Sequence, residues 1–203
     1  MRQIALVGLA VLLLISVASA QSVGPPRFTE GDEWRVSGGT VVRVVRVDGD
    51  TSVITGVPPC VTCLIHRDKN LTWTSIEQAD GRRVDPLAFV SLPSGLPIGW
   101  KFFEFPLAIN RTWNFSATNS IRGVARRVAV TCTVDAYEDV STKAGTFKAF
   151  RIRRDVREQE MAGGRVETWT TTVWYAPDVK AVVKLTNSRG RSPQWEMVSY
   201  SVK

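Results

Sequence analysis

The sequence predicts an all-β, antiparallel protein, and three observations carry that expectation. Several segments alternate apolar and polar residues with a period of two, the repeat of a half-buried strand. Val, Thr, Trp and Phe dominate these segments, because branched and aromatic side chains pack well on a pleated surface. Turn-forming clusters separate them, and no amphipathic helix is legible after Gln21. The expected architecture is an antiparallel sandwich or half-barrel.

The first 20 residues read differently from the rest. Arg2 precedes an unbroken apolar run from Ile4 to Ile15, and the segment closes on Ala18-Ser19-Ala20. A positive start, a short apolar middle and small residues at the end are the marks of a secretory leader, with cleavage expected before Gln21. The run is too short to cross a bilayer comfortably and no second one follows, so no transmembrane span is expected after cleavage. No Cys stands just after the cut, which argues against a lipid anchor there. The expectation is an exported protein, periplasmic or secreted, with residues 21–203 forming a single β domain.

The chain carries 26 Lys and Arg against 19 Asp and Glu, a net charge of +7, of which the leader removes only Arg2. A basic domain outside the cytoplasm is expected to meet anionic envelope surfaces, and no nucleic acid. An exported part of this size buries roughly 70% of its unfolded surface, enough for a core without further staples.

In chain order, Thr40–Val47 is a Val-rich strand broken by Arg43 and Arg46. It runs into the tight-turn signal Asp48-Gly49-Asp50 and then Thr51–Thr55, a hairpin. Ser91–Trp100 is rich in Pro and Gly and cannot sit in a central strand. Val128, Val130, Cys132 and Val134 alternate with Ala129, Thr131 and Thr133. Thr168–Tyr175 sets Trp169, Thr171, Val173 and Tyr175 on one face and Trp174 on the other. Gln194–Val202 sets Val198, Tyr200 and Val202 against Trp195 and Met197. Gly163-Gly164 and Asn187-Ser188-Arg189-Gly190 read as two more hairpin tips. A faint duplication also shows: Phe28 to Val36 resembles Phe105 to Phe115, each placing an aromatic, a turn residue and a Trp ahead of long hairpins. Two related halves, 21–100 and 101–203, would explain it; chance similarity of two strand entries is the other reading.

The block Lys143-Ala144-Gly145-Thr146-Phe147-Lys148-Ala149-Phe150-Arg151-Ile152, with Trp174–Lys180 and Val182-Val183-Lys184, resembles a family of exported bacterial β domains labelled TapB-like. The resemblance runs from about Trp113 to the C-terminus. It implies an extracytoplasmic β domain and no catalytic residues. Lys180 stands where that pattern leads one to expect Gly. Gly145 suits a positive φ in a tight turn, and Pro177 ends the strand that carries Trp174. Phe147 and Phe150 are three apart, so alternation puts them on opposite faces unless a bulge near Ala149 intervenes.

Cys60-Val61-Thr62-Cys63 follows Pro58-Pro59. Outside the cytoplasm such a pair is expected as a local disulfide, with Cys132 left over. A Cys63–Cys132 bridge is the alternative; chain entropy gives it about 4.4 kcal/mol against about 2 for the local pair. A thioredoxin-like centre would need a helix that is not there. Cys60, Cys63 and His66 could meet Cys132 on zinc, but one His in an oxidising space argues against it, and no metal or other cofactor is expected. His66 and Asp68 share a strand face without a nucleophile elbow. Glu104 with Asp85 or Glu77 could supply a glycosidase carboxylate pair, though nothing in their spacing selects one.

Two features point to binding. Arg151, Arg153, Arg154 and Arg157 cluster with Lys148, one hairpin from Arg122, Arg126 and Arg127. Alternate residues stand about 6.6 Å apart on a strand face, so Arg151 and Arg153 could grip neighbouring anionic groups; a solvated face balanced by Asp155, Glu158 and Glu160 is the plainer reading. Phe89–Phe105 crowds Phe89, Leu92, Leu96, Trp100, Phe102, Phe103 and Phe105 into one stretch, to plug the core or to line a pocket around Trp100 and Phe102. The function expected is therefore a non-enzymatic, exported cell-envelope protein that binds a lipid, a glycan or a protein partner. A carboxylate-pair hydrolase and a structural assembly domain are the alternatives.

Overall fold

Alternation and turn chemistry produce one long meander. The computed structural model describes residues 21–58, 60–86, 101–121, 124–189 and 194–203; the leader and the 91–100 stretch lie outside them. The front strands are β1 (Ser22–Val23), β2 (Glu33–Val36), β3 (Val41–Asp48), β4 (Thr51–Thr55), β5 (Leu64–Arg67), β6 (Trp73–Glu77) and β7 (Arg83–Val84). Then follow β8 (Leu107–Ala108), β9 (Thr112–Ile121), β10 (Val124–Thr142), β11 (Gly145–Glu160), β12 (Val166–Ala176), β13 (Ala181–Asn187) and β14 (Trp195–Ser201). β1 pairs with β8 in a two-stranded sheet. The rest form one antiparallel 12-stranded sheet in the order β7-β6-β5-β4-β3-β2-β14-β13-β12-β11-β10-β9. The protein is all-β as expected, and its sheet is open rather than a closed barrel.

Two meanders meet where β14 pairs with β2. The apolar residues fall into two cores. One gathers Phe103, Leu107, Trp113, Val128, Val130, Cys132, Val134, Phe150, Ile152, Trp169, Val173 and Tyr175. The other gathers Trp34, Val44, Ile54, Ile65, Ile76, Val140, Phe147, Ala149, Val183 and Met197. β11 serves both: Phe147 and Ala149 point to the second core, and Phe150, Ile152 and Val156 to the first. Phe147 and Phe150 thus stay on opposite faces and are both buried. The bulge lies on the partner strand, between Val134 and Ala136, not near Ala149. A second difference concerns β14. A register shift between Met197 and Ser199 puts Met197 and Val202, read as opposite-facing, against the same core.

The same turn occurs at the head of each meander. Gly31 (φ +88°) and Asn110 (φ +69°) are both left-handed. Asp32 N–H donates to Thr29 O at 3.0 Å, and Arg111 N–H to Ala108 O at 3.0 Å. Gly31 and Asp32 exchange backbone bonds with Val44, and Asn110 and Arg111 with Val134, all four at 2.9 Å. A bulge follows each Val. Three residues after each left-handed position comes a buried Trp whose Nε1–H reaches a carbonyl, Trp34 to Val179 at 2.7 Å and Trp113 to Lys101 at 3.1 Å. Aligning the two turns makes Leu107, not Phe105, the counterpart of Phe28.

The Pro177–Val179 turn ends β12 as Pro177 predicts, and Lys180 follows it at φ +58°. A Lys holds this glycine-like position because its ammonium bonds the fully buried Asp32 at 2.9 Å. Asp32 also accepts N–H groups from Thr29 and Lys203, both at 2.9 Å. Burial alone would raise the Asp32 carboxyl pKa, but these donors outweigh it and hold the carboxyl below its ordinary value.

Candidate functional site

Strand alternation makes the outer face of β9–β12 polar, and register decides which of its side chains meet. One cross-strand row runs Ser116, Ala129, Arg157, Thr168; the next runs Asn114, Thr131, Asp155, Thr170. Ser188 extends the second row, accepting Thr170 N–H on its hydroxyl at 2.9 Å. Arg127 lies two residues from Ala129 on the same face, a diagonal neighbour of Arg157. Together with Phe115, Val130, Val156 and Trp169, these residues line a trough of about 840 Å³.

Within the trough, Thr131 Oγ1 donates to Asn114 Oδ1 at 2.7 Å and Thr170 Oγ1 to Asp155 Oδ1 at 3.0 Å. Arg157 donates to the neutral Gln159 Oε1 at 3.1 Å. Asp155 is also held by Arg153. The arrangement offers hydroxyls, an amide, two guanidinium groups and one carboxylate over a shallow surface.

The arginines grouped by sequence separate in space. Arg151 donates to both carboxylate oxygens of Glu138, at 3.3 and 3.1 Å. Arg153 bonds Asp135 at 3.3 Å as well as Asp155. Both face out with partners from their own chain, which matches the balanced-face reading in kind, with Glu138 and Asp135 added. Arg126 holds Glu158 and, at 2.9 Å, Glu160. Arg122 and Trp100 lie outside the described residues. Phe102 lies under Arg154, whose guanidinium carbon stands 4.8 Å above its ring.

Arg154 and Arg67 are buried, and sequence reasoning missed both. Arg67 donates to Ser52 Oγ at 3.2 Å and stands 4.6 Å over the Phe28 ring. Burial lowers each guanidinium pKa to about 10, so both stay charged at neutral pH. For Arg154 the signal existed: it lies at even spacing between Ile152 and Val156, the inward parity.

Cys60 and Cys63 are joined as a disulfide with Cα atoms 5.3 Å apart, and Cys132 is free and buried. Among the carboxylates weighed for hydrolysis, Glu104 accepts Arg111 at 3.1 Å. Glu77 accepts His66 Nε2 and Arg83 Nε, each at 3.2 Å. The His66 bond first, then Arg83, lowers the Glu77 pKa, the opposite of what a general acid needs.

No family model matches the chain, so the likeness to TapB-like domains rests on its motifs alone. No curated protein matches it either. Among solved structures it is similar to a candidate lipoprotein from Parabacteroides distasonis, at 12% identity over 89% of this chain and 100% of that one, TM-score 0.47. It is also similar to an exported-protein candidate with a YmcC-like fold from Bacteroides fragilis, at 12% identity over 89% and 100%, TM-score 0.40. A third is the hypothetical lipoprotein YmcC from Escherichia coli, at 10% identity over 92% and 93%, TM-score 0.43.

Proposed function

We propose that this chain is an exported, non-enzymatic cell-envelope protein that binds a glycan along the outer face of β9–β12. The observation that carries the reading is the trough itself: hydroxyls of Ser116, Thr131, Thr168 and Thr170, the Asn114 amide, and Arg127 beside Arg157. Hydroxyl and amide groups exchange hydrogen bonds with sugar hydroxyls, and guanidinium groups favour acidic sugars. The leader-like first 20 residues and the Cys60–Cys63 bridge support export. The repeated turn supports reading 21–100 and 101–203 as related halves of one domain.

Calorimetric titration with neutral and uronate-bearing envelope oligosaccharides tests the proposal. The uronate glycans should bind, and Arg157→Ala should weaken them by about tenfold or more, the worth of a charge-assisted bond. That loss should come without a change in melting temperature. Failure of every glycan to bind, or binding indifferent to Arg157→Ala, would refute it; glycan turnover abolished by Glu104→Gln would instead restore the hydrolase.

A further inference from the structure

The two ends of the long sheet are built differently. β7, at one end, is two residues long, carries the charged Arg83 and is soon followed by Pro86. Short length, charge and proline are the usual devices that keep an edge strand from pairing with another chain. β9, at the other end, has none of them. It runs for 10 residues, Thr112–Ile121, without a charged residue or a proline. Its register against β10 is unbroken over that whole length, so no bulge twists the edge away. Among the described residues, Thr112–Asn114 and Ser116–Ile121 make no main-chain bonds except those to β10.

The strand just before it in sequence does not close the sheet, since β8 pairs with β1 instead. β9 also has two distinct faces. Asn114, Ser116 and Thr118 are exposed on the outer one. Trp113, Phe115 and Ala117 pack against the first core, Trp113 buried and the other two only partly covered. A long, flat, uncharged edge with a partly covered apolar face is a template for one more strand.

We propose that β9 pairs antiparallel with β9 of a second copy of this chain, giving a two-fold dimer joined through a continuous sheet. Residues directly opposite in an antiparallel pair share a face, so apolar residues of one copy meet apolar residues of the other, and hydroxyls meet hydroxyls. A charged strand paired with its own copy brings like charges together, and β9 has none to repel. The shared-face rule also requires the two-fold axis to pass at a residue rather than between two. Overlap is greatest with the axis at Ser116 or Ala117, which pairs 112–120 or 113–121 with themselves. That axis stands perpendicular to the sheet, so both outer faces look the same way and the two troughs adjoin across the seam. The dimer does not depend on what the troughs bind.

Sedimentation equilibrium of the purified protein, with no ligand added, should show a concentration-dependent monomer–dimer equilibrium, because one strand pair buries less than a standard interface of about 1,600 Å². Amides of 112–121 should exchange with solvent more slowly at high than at low protein concentration, while those of β7 should not change. Ser116 is exposed and faces Ala129 within its own chain, so charging it should leave the fold intact. With the axis at Ser116 or Ala117, Ser116→Lys sets two ammonium groups opposite or diagonal to each other. Ser116→Lys and Ser116→Glu should each weaken dimerisation about fivefold, and an equimolar mixture of the two should restore it. The proposal is overturned if the parent stays monomeric at high micromolar concentration, the result expected if this edge takes a strand from a different protein. It is equally overturned if a dimer forms while the β9 amides are indifferent to concentration. Variants that dimerise as tightly as the parent, or a mixture no tighter than either variant, overturn it too. Should either variant fail to fold, exchange of the β9 amides in the parent decides alone.

Discussion

Lys180→Gly sets two effects of opposite sign against each other. Lys180 sits at φ +58°, where a side chain costs about 1–2 kcal/mol. Glycine would relieve that but lose about 0.5–1 kcal/mol to its freer unfolded chain, leaving a gain of about 0–1.5 kcal/mol. Against this stands the Lys180–Asp32 bond at 2.9 Å, with the Asp32 side chain wholly buried. Removing one partner of a buried pair costs about 3–5 kcal/mol. The lower end applies, because the Thr29 and Lys203 N–H groups remain on Asp32. The variant should therefore lose about 2 kcal/mol, or about 4–8 °C in melting temperature for a chain of this size. Urea unfolding at neutral pH measures it. The pH dependence has a definite sign. The folded Asp32 pKa lies below its unfolded value, so its stabilisation is complete above the unfolded value and is lost as pH falls through the folded one. The gap between parent and variant should narrow in the same acidic window. A variant as stable as the parent at neutral pH would refute the reasoning, and would mean that backbone strain outweighs the ion pair.

Two further substitutions follow from the repeated turn. Trp34→Phe deletes a buried N–H bond and orphans the Val179 carbonyl, and should cost about 1–3 kcal/mol in chemical denaturation. Trp113→Phe deletes a part-buried bond to exposed Lys101 and should cost about 0.5–1.5 kcal/mol. A measurable cost at both sites supports equivalent roles; a neutral result at either would break the parallel. Reducing Cys60–Cys63 should lower stability by about 2 kcal/mol, the chain-entropy value for so short a loop. In a non-reducing peptide map Cys132 should remain unlinked. Burial pushes its thiol pKa up to about 11, so alkylation should reach it only on unfolding.

Much of the fold was legible because burial enforces a period of two. Val128–Val134 and Trp169–Tyr175 present their apolar residues inward as alternation requires. Alternation failed where a bulge shifts the phase, as at Val198, because an extra residue leaves no mark in composition. It was also under-used. Arg154 has the parity of Ile152 and Val156, yet its neighbours Arg151 and Arg153 made all three look like one basic patch. The trough was not legible at all. Arg127 and Arg157 come together through pairing between β10 and β11, and pairing depends on the hairpin between them rather than on either segment. The Lys180 substitution became explicable only once Asp32, 148 residues away, was seen beneath it.

The same separation of arginines changes what the positive charge means. A net charge of +7 suggests general attraction to anionic surfaces. Yet on β10 and β11 the outward cations are largely answered from within: Lys148 by Asp139, Arg151 by Glu138, Arg153 by Asp135 and Asp155, Arg126 by Glu158 and Glu160. Exposed pairs of this kind contribute little stability, but they cancel local field. What remains unanswered is local. Arg127 and Arg157 stand over a hydroxyl-lined surface, where water competes for every contact and salt screens the charge. Arg154 stands inside, against the Phe102 carbonyl and the rings of Phe102 and Phe103, away from the surface the trough presents. The proposed preference for acidic glycans therefore rests on Arg127 and Arg157, and the overall charge of the chain is a poor guide to it.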